Sequence, residues 1–310
     1  MHGFHHCTRA TKLPIRRWVP LPVGAAYRSQ IRRDQLPAYE PRREVTPLWS
    51  GAAMGILDGK RILVTGVLTS DSLAFGVAQL AQDEGAEVIL SGAGRGLRLT
   101  ERTARRLRVD TDVMPIDVTD PQELTEAAAT LADRWGRLDG LLHAIGYAPP
   151  ECLGGDILRA GWDDVKVALE VSAYSLKALV GAFATLLEAA GSSSVVGLDF
   201  DASVAWPAYD WMGVSKAALE SLSRYLARDL GPKGIRVNLV AAGPVRTVAA
   251  KSIPAFKDFE DTWATHAPLG WNVTDSRAVA KACVALLSDW FPMTTGEILH
   301  VDGGVHAVGL

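Results

Sequence analysis

The sequence predicts an α/β protein built on a single doubly wound sheet of seven parallel strands, with helices on both faces. Three observations predict it. Short apolar runs recur between residues 60 and 301, helical stretches separate most of them, and the runs are too short and too continuous to be amphipathic helices. Strands that alternate with helices pair in parallel through right-handed crossovers, which buries both faces of the sheet. A ligand of such a sheet lies beyond the carboxyl ends of its strands.

In chain order the runs are Arg61–Thr65 (RILVT), Glu87–Leu90 (EVIL), Asp112–Ile116, Gly140–Ala144 (GLLHA), Ser194–Asp199 (SVVGLD), Ile235–Val240 (IRVNLV) and Glu297–Val301 (EILHV). Helices are expected over Leu73–Glu84, about Gln122–Trp135, a long stretch Trp162–Ala189, Tyr209–Leu230 and Arg277–Leu287. The pattern has no internal repeat and no sign of a second domain.

The chain has 310 residues, 48% hydrophobic and 22% charged, enough for one α/β domain with a substantial core. A net charge of -3 gives no general reason to expect nucleic-acid binding. Cys7, Cys152 and Cys283 are too few and too scattered for a disulfide framework, which suits a cytoplasmic setting. No apolar run is expected to reach the length of a membrane span, no secretory signal core is evident, and no resident metal is expected.

Residues 1–53 differ from the rest. They hold six of the sixteen prolines, nine Lys or Arg and three Asp or Glu, with no sustained periodicity. Such a segment buries too little apolar surface to offset its ordering entropy. It is expected to be an extension or upstream sequence from a misplaced start, with the compact domain running from Met54 to Leu310. A transit peptide and a functional tail are the alternatives, the latter including metal binding by His2, His5, His6 and Cys7.

The first run delivers Gly66, then five residues, then Ser72-Leu73-Ala74. A tight turn leading into a helix aims backbone N–H groups at a phosphate, and Ser72 can cap the helix and donate to a phosphate oxygen. A plain strand–turn–helix reads the same way. After the second run stands Ser91-Gly92-Ala93-Gly94-Arg95, with no acid for a ribose and an arginine suited to a 2′-phosphate or to solvent. Asp117-Val118 follows the third run, where an Asp accepts from an adenine amino group or simply forms a turn. Gly146 follows the fourth, where a close backbone approach needs a missing side chain.

The most informative stretch is Asp199 to Lys216. Pro207 suits a helix entrance. Tyr209 and Lys216 are seven apart, two helical turns, and share one helix face. A tyrosine O–H there donates to an oxygen that is becoming an oxyanion, while the lysine ammonium favours that charge. A surface Tyr and Lys on an amphipathic helix is the plain alternative.

With these residues in hand the chain from Gly55 to Leu310 resembles the enoyl-acyl-carrier-protein reductases, a family of the short-chain dehydrogenase/reductase superfamily with a Rossmann-like fold, and in particular its mycobacterial members. Most short-chain dehydrogenases space the Tyr and Lys four apart; seven apart is this family's pattern. The resemblance rests on eight segments in order: Gly55–Thr65 (GILDGKRILVT), Ser172–Ser175 (SAYS), Leu198–Phe200 (LDF), Pro207–Met212 (PAYDWM), Asn238–Pro244 (NLVAAGP), Pro268–Asn272 (PLGWN), Leu286–Trp290 (LLSDW) and Val301–Gly304 (VDGG).

The resemblance implies that Tyr209 meets the thioester carbonyl oxygen, Lys216 binds the nicotinamide ribose and Phe200 packs beside nicotinamide and substrate. It implies that Gly66, Leu68, Ser72, Leu73, Asp117, Val118, Gly146, Ala242, Pro244, Val245 and Thr247 line the dinucleotide. The expected reaction is reduction of the trans-2 double bond of an enoyl thioester in type II fatty-acid synthesis. NADH is the expected reductant, with NADPH the alternative. The implied partner is acyl carrier protein, and the implied assembly is a cytoplasmic homotetramer.

Three departures bear on this. Ala93 stands where the mycobacterial members carry a Phe, which opens space beside Arg95. The segment between Thr247 and Pro268 is about ten residues shorter than in those members, and a shorter cover predicts shorter or medium acyl chains. Tyr147 and Ala148 replace larger apolar residues near the pocket mouth. A short-chain carbonyl or alcohol reductase and a dinucleotide-binding regulator without catalysis are the competing readings.

Overall fold

The computed structural model describes residues 55–309. The readings made for residues 1–53, the His2–Cys7 cluster among them, and the start at Met54 lie outside the described residues.

Seven strands form one parallel sheet: β1 (Arg61–Val64), β2 (Glu87–Gly92), β3 (Val113–Pro115), β4 (Gly140–His143), β5 (Ser193–Asp199), β6 (Ile235–Ala242) and β7 (Ile298–Val301). Their spatial order is β3-β2-β1-β4-β5-β6-β7. The order reverses between β1 and β4, so the crevice of a doubly wound sheet opens there. The helices are α1 (Leu73–Asp83), α2 (Gly94–Ala104), α3 (Pro121–Trp135), α4 (Trp162–Leu169), α5 (Ser175–Ala189), α6 (Asp210–Leu230), α7 (Phe256–His266) and α8 (Arg277–Leu287).

The strands are apolar on both sides because both sides are covered. Ile62 and Val64 of β1, Val88 and Leu90 of β2 and Val196 of β5 join the apolar layer that includes α1 and α8. Their neighbours Leu63, Ile89 and Val195 point the other way, into the layer under α3, α5 and α6. This is the two-residue alternation of a strand, read here as a continuous apolar run. Helix α3 shows how the sequence sets an element's ends. Asp120 accepts from the backbone N–H groups of Gln122 and Glu123, Pro121 occupies the first helical position, and Gly136 closes the helix at φ 67°.

Five local features depart from expectation. Helix α2 has no apolar stripe: only Thr100, Thr103 and Ala104 are buried, so periodicity does not reveal it. Helix α7 lies in a segment to which the sequence reading assigned no secondary structure. The long stretch Trp162–Ala189 is two helices joined by a π-helical turn over Glu170–Tyr174. That stretch is also long and apolar enough to cross a membrane by length and composition, contrary to expectation; Leu176, Leu179, Val180, Phe183 and Leu187 are buried in the core. Finally, α6 begins at Asp210, so Pro207 stands in the turn before the helix rather than at its entrance.

Candidate active site

At the carboxyl end of β1 the turn is built from backbone. Gly66 has φ 81°, and a Cβ there would lie 2.0 Å from the carbonyl oxygen of Ala144. Only glycine lets the ends of β1 and β4 come this close. Thr65 ties the same two ends, its hydroxyl donating to the Leu142 carbonyl (2.9 Å) and accepting from the Ala144 N–H (3.1 Å).

Ser72 departs from the role of a helix cap. Its hydroxyl oxygen accepts from the N–H groups of Leu68 and Thr69, both at 3.1 Å, and makes no cap bond to α1. Both acceptor bonds face back into the turn, so its proton remains available to a ligand. Helix α2 clamps the other side, with Thr100 donating to the Val67 carbonyl (2.6 Å) and Thr103 to the Leu68 carbonyl (2.9 Å). These two threonines hold the turn in shape, and motif reading did not single them out.

Further along the crevice, Asp117 accepts from both the N–H and the hydroxyl of Thr119 through one oxygen, which gives it the turn-forming role as well. Val118 is buried in the core layer beneath α3. Gly146 is different from Gly66: a Cβ there would meet nothing nearer than Ser172 Oγ at 3.9 Å. Protein packing therefore does not demand glycine at 146. Ser172, buried in the π-helical turn, accepts from the Tyr147 N–H (2.9 Å) and donates to the Tyr147 carbonyl (2.8 Å), fixing this loop. π-turns recur at functional sites.

At the carboxyl end of β5 the site is built from side chains. Tyr209 directly precedes α6 and accepts the helix's first backbone bonds, from Met212 (2.9 Å) and Gly213 (3.2 Å). Tyr209 is thus the cap residue rather than a helical one, and left-handed Asp210 (φ 37°) stands between it and the helical path to Lys216. The two neighbours of Tyr209, Ala208 (φ 57°) and Asp210, are both left-handed, a conformation that costs an ordinary residue about 1–3 kcal/mol. Gly154 and Gly155 hold that strained turn: the Gly154 N–H donates to the Ala208 carbonyl (3.1 Å) and the Gly155 N–H to the Asp210 carboxylate (2.7 Å).

Tyr209 is 7% exposed, and burial first, with Asp199 second, pushes its phenol well above the usual range. It is a neutral hydrogen-bond donor throughout the physiological range. Phe200 meets the Tyr209 ring edge-on, with centroids 5.2 Å apart. The Lys216 ammonium donates to the Leu198 carbonyl (2.9 Å) and stands 4.0 Å from the Asp199 carboxylate. Desolvation lowers the Lys216 pKa, partly countered by Asp199. Desolvation also raises Asp199, to about 7, and neither of its oxygens has a hydrogen-bond partner. The Asp199 carboxylate thus acts on both Tyr209 and Lys216.

Helix α7 roofs this end. Phe259 packs against Phe200 and Tyr209, with centroids 5.5 and 6.1 Å away. Trp263 stacks at 5.7 Å from Phe200 and donates to the Asp302 carbonyl. Gly243, at the end of β6, leaves room for this roof, since a Cβ would lie 2.7 Å from Trp263 and 2.8 Å from Trp271. Ala242, Pro244 and Val245 are buried beside it, and Thr247 closes the following turn by accepting from the Ala250 N–H. An ion pair between Arg246 and Glu260 ties that turn to the roof.

A family profile described as "Enoyl-(Acyl carrier protein) reductase" matches residues 66–306. The chain is 43% identical over 268 residues to an enoyl-[acyl-carrier-protein] reductase [NADH] of Mycolicibacterium smegmatis, covering 81% of this chain and 97% of that protein. It is 41% identical over 263 residues to the Mycobacterium avium protein of the same name, with the same coverage. Against the Escherichia coli K12 relative, FabI, identity is 38% over 253 residues, covering 81% and 95%.

The chain belongs to the enoyl-(acyl carrier protein) reductase family.

For this member of the family the fold brings the residues named from sequence to one edge of the sheet. Gly66, Leu68, Ser72 and Leu73 stand at the end of β1, Asp117 and Val118 at β3, and Gly146 at β4. Phe200 follows β5, with Tyr209 and Lys216 beyond it, and Ala242, Pro244, Val245 and Thr247 lie at β6. Sequence reading gave the segment between Thr247 and Pro268 as a cover but missed the helix that forms it. Its signal was present: Phe256, Phe259 and Trp263 recur at helical spacing. Among the described residues, no group of three or more His, Cys, Asp or Glu is arranged to hold a metal ion.

Proposed function

We propose that this chain reduces the trans-2 double bond of enoyl thioesters carried by acyl carrier protein, using NADH, in type II fatty-acid synthesis. The observation that carries the reading is the buried Tyr209 phenol set against Phe200, with the Lys216 ammonium bonded to the Leu198 carbonyl of β5 and the glycine turn of β1 at the same carboxyl end of the sheet. The names of the relatives supply NADH and the carrier-bound substrate.

The residues fit a dinucleotide. A Cβ at Gly146 would meet only Ser172 Oγ, at an ordinary 3.9 Å, so the glycine there suits close approach of a ligand rather than of protein. The Ser72 hydroxyl keeps its proton for a phosphate oxygen while its lone pairs hold the turn. Leu68, Leu73, Asp117 and Val118 would face the adenosine half, and Ala242, Pro244, Val245 and Thr247 the nicotinamide half. When bound, the reduced nicotinamide supplies the hydride that reaches the β-carbon. Tyr209 donates its O–H to the thioester carbonyl as that oxygen gains negative charge. Lys216 holds the ribose hydroxyls and lends positive charge to the same place. Phe200 and the α7 roof exclude water.

The acidic ribose ligand common in NAD-binding sheets is absent. The exposed Arg95 in the first turn of α2 is the feature that favours NADPH as a second reading. The domain is proposed to run from Met54 to Leu310, in a cytoplasmic homotetramer, without nucleic-acid or membrane partners. The half-exposed edge strand β7 and the nearby exposed Trp290, Phe291 and Met293 support assembly through that edge.

The test follows NADH and NADPH oxidation spectrophotometrically with a series of 2-enoyl thioesters, on the full chain and on a chain beginning at Met54. Turnover with NADH on both chains is expected. Ketone reduction without enoyl reduction, or dinucleotide binding without turnover, would contradict the proposal.

A further inference from the structure

The aromatic cluster around Tyr209 has a second side. The loop from Asp201 to Pro207, helix α7 and the C-terminal residues Val305–Gly309 enclose a cavity of about 420 Å³, partly open to solvent and lined mostly by apolar surface. Val204, Ala205, Val305 and Val308 line it, as do Trp206 and Phe259. Neither Tyr209 nor Phe200 does.

Trp206 and Phe259 therefore face two spaces at once. On one side they pack on the reaction end: Trp206 lies 5.4 Å from Phe200, and Phe259 lies 6.1 Å from Tyr209. On the other side they are the inner wall of the cavity. Their own centroids are 6.1 Å apart, so the two rings are neighbours in the partition between the aromatic cluster and the cavity. The two are held differently. Phe259 is 4% exposed and sits mid-helix in α7. Trp206 is half-buried on an irregular loop, anchored by one hydrogen bond from its indole N–H to the Asp201 carbonyl (2.6 Å). Of the pair, Trp206 is the more exposed and stands on the less regular segment.

We propose that Trp206 is the chain-length determinant of this enzyme, and that the cavity behind it is the site for the methyl-terminal part of a long acyl chain. This rests on the enoyl-thioester reading above. With the indole in place the reaction chamber ends at the Trp206–Phe259 wall and takes short and medium chains. With the indole displaced, chamber and cavity become one channel. An alkyl chain is the occupant that the lining fits: the cavity walls are mostly apolar and shared with the aromatic cluster through Trp206 and Phe259, and its polar side chains do not include a Lys or Arg for an anion. This places the limit on chain length in one side chain rather than in the shortness of the covering segment alone.

The test compares kcat/KM for coenzyme A thioesters from crotonyl to 2-hexadecenoyl in the wild type, Trp206→Ala, Trp206→Leu and the double variant Trp206→Ala with Val308→Trp. Val308 is 37% exposed on the cavity's outer wall, so a larger residue there narrows the cavity without touching the reaction end. Trp206→Ala is expected to raise the hexadecenoyl-to-crotonyl ratio by about tenfold or more, the scale at which a hydrophobic pocket discriminates by size. Trp206→Leu is expected to give a smaller rise, and the double variant to lose it. An unchanged ratio in both single variants overturns the proposal. So does a rise that survives in the double variant, because the gain then comes from a wider reaction chamber and not from the cavity. A wild type that turns over no enoyl thioester defeats the underlying function reading instead, and is recognised by its silence on every chain length.

Discussion

At the β1 end of the cleft the surface offered to a ligand is main chain, shaped by Gly66 and pinned from behind by Thr65, Thr100 and Thr103. At the β5 end it is side chain: a phenol, an ammonium, a carboxylate with no hydrogen-bond partner and the rings of Phe200, Trp206, Phe259 and Trp263, with neighbouring centroids 5.1–6.1 Å apart. The first end needs precise backbone geometry and tolerates few changes in shape. The second stores its function in the identities of a few residues held on a strained turn. Substitutions at the two ends should therefore fail in different ways, the first through folding and nucleotide affinity, the second through turnover, pH response and substrate range.

The largest effect is expected at Gly66. Gly66→Ala puts a Cβ against the Ala144 carbonyl and forces a left-handed alanine. It is expected to cost about 4 kcal/mol of stability and to abolish NADH binding, measured by denaturant unfolding and by nucleotide fluorescence titration. Retained affinity with normal stability would show that the β1–β4 approach does not shape the site.

Next comes Asp199. Its carboxyl is raised to about 7 in the folded protein, from 3.8 when unfolded, chiefly by desolvation. Its contribution to stability is then full below about pH 4 and is lost as pH rises to about 7. Across that window the wild type should lose on the order of 3 kcal/mol relative to Asp199→Asn, in unfolding measured at several pH values. The kcat/KM profile should show a wild-type inflection near 7 that Asp199→Asn lacks. Parallel pH profiles would contradict the role of Asp199 in holding Lys216.

A smaller effect is expected at the clamp. Thr100→Val leaves the Val67 carbonyl without its donor and should cost about 1–2 kcal/mol, with a matching loss of NADH affinity and little change in kcat. The smallest is at Arg95, whose side chain is exposed. Arg95→Ala should leave NADH kinetics within about twofold, as for surface changes in general, and weaken any use of NADPH. A large loss with NADH would assign Arg95 to the principal cofactor.

The same contrast explains what was legible in the sequence. The sheet was, because strands covered on both faces are written as apolar runs, such as Arg61–Thr65 and Ile235–Val240. Tyr209 and Lys216 were legible as residues, but their relation was not, because left-handed Asp210 interrupts the helical path on which the spacing was read. Helix α2 was not, because it docks through the hydroxyls of Thr100 and Thr103 and buries little else. The left-handed turn at Ala208 and Asp210 was not, because nothing local marks those residues for it; Gly154 and Gly155, more than fifty residues away, hold it. The double duty of Trp206 needed the tertiary structure, since the cavity it borders joins three distant segments.

The proposed chemistry depends on Tyr209 acting at the reacting oxygen. The direct measurement is single-turnover oxidation of prebound NADH by Tyr209→Phe, beside the wild type, on the same enoyl thioester. The account predicts unchanged NADH affinity with a rate lowered on the order of 10²–10³-fold, the usual loss for one oxyanion donor. A rate equal to the wild type's would contradict it.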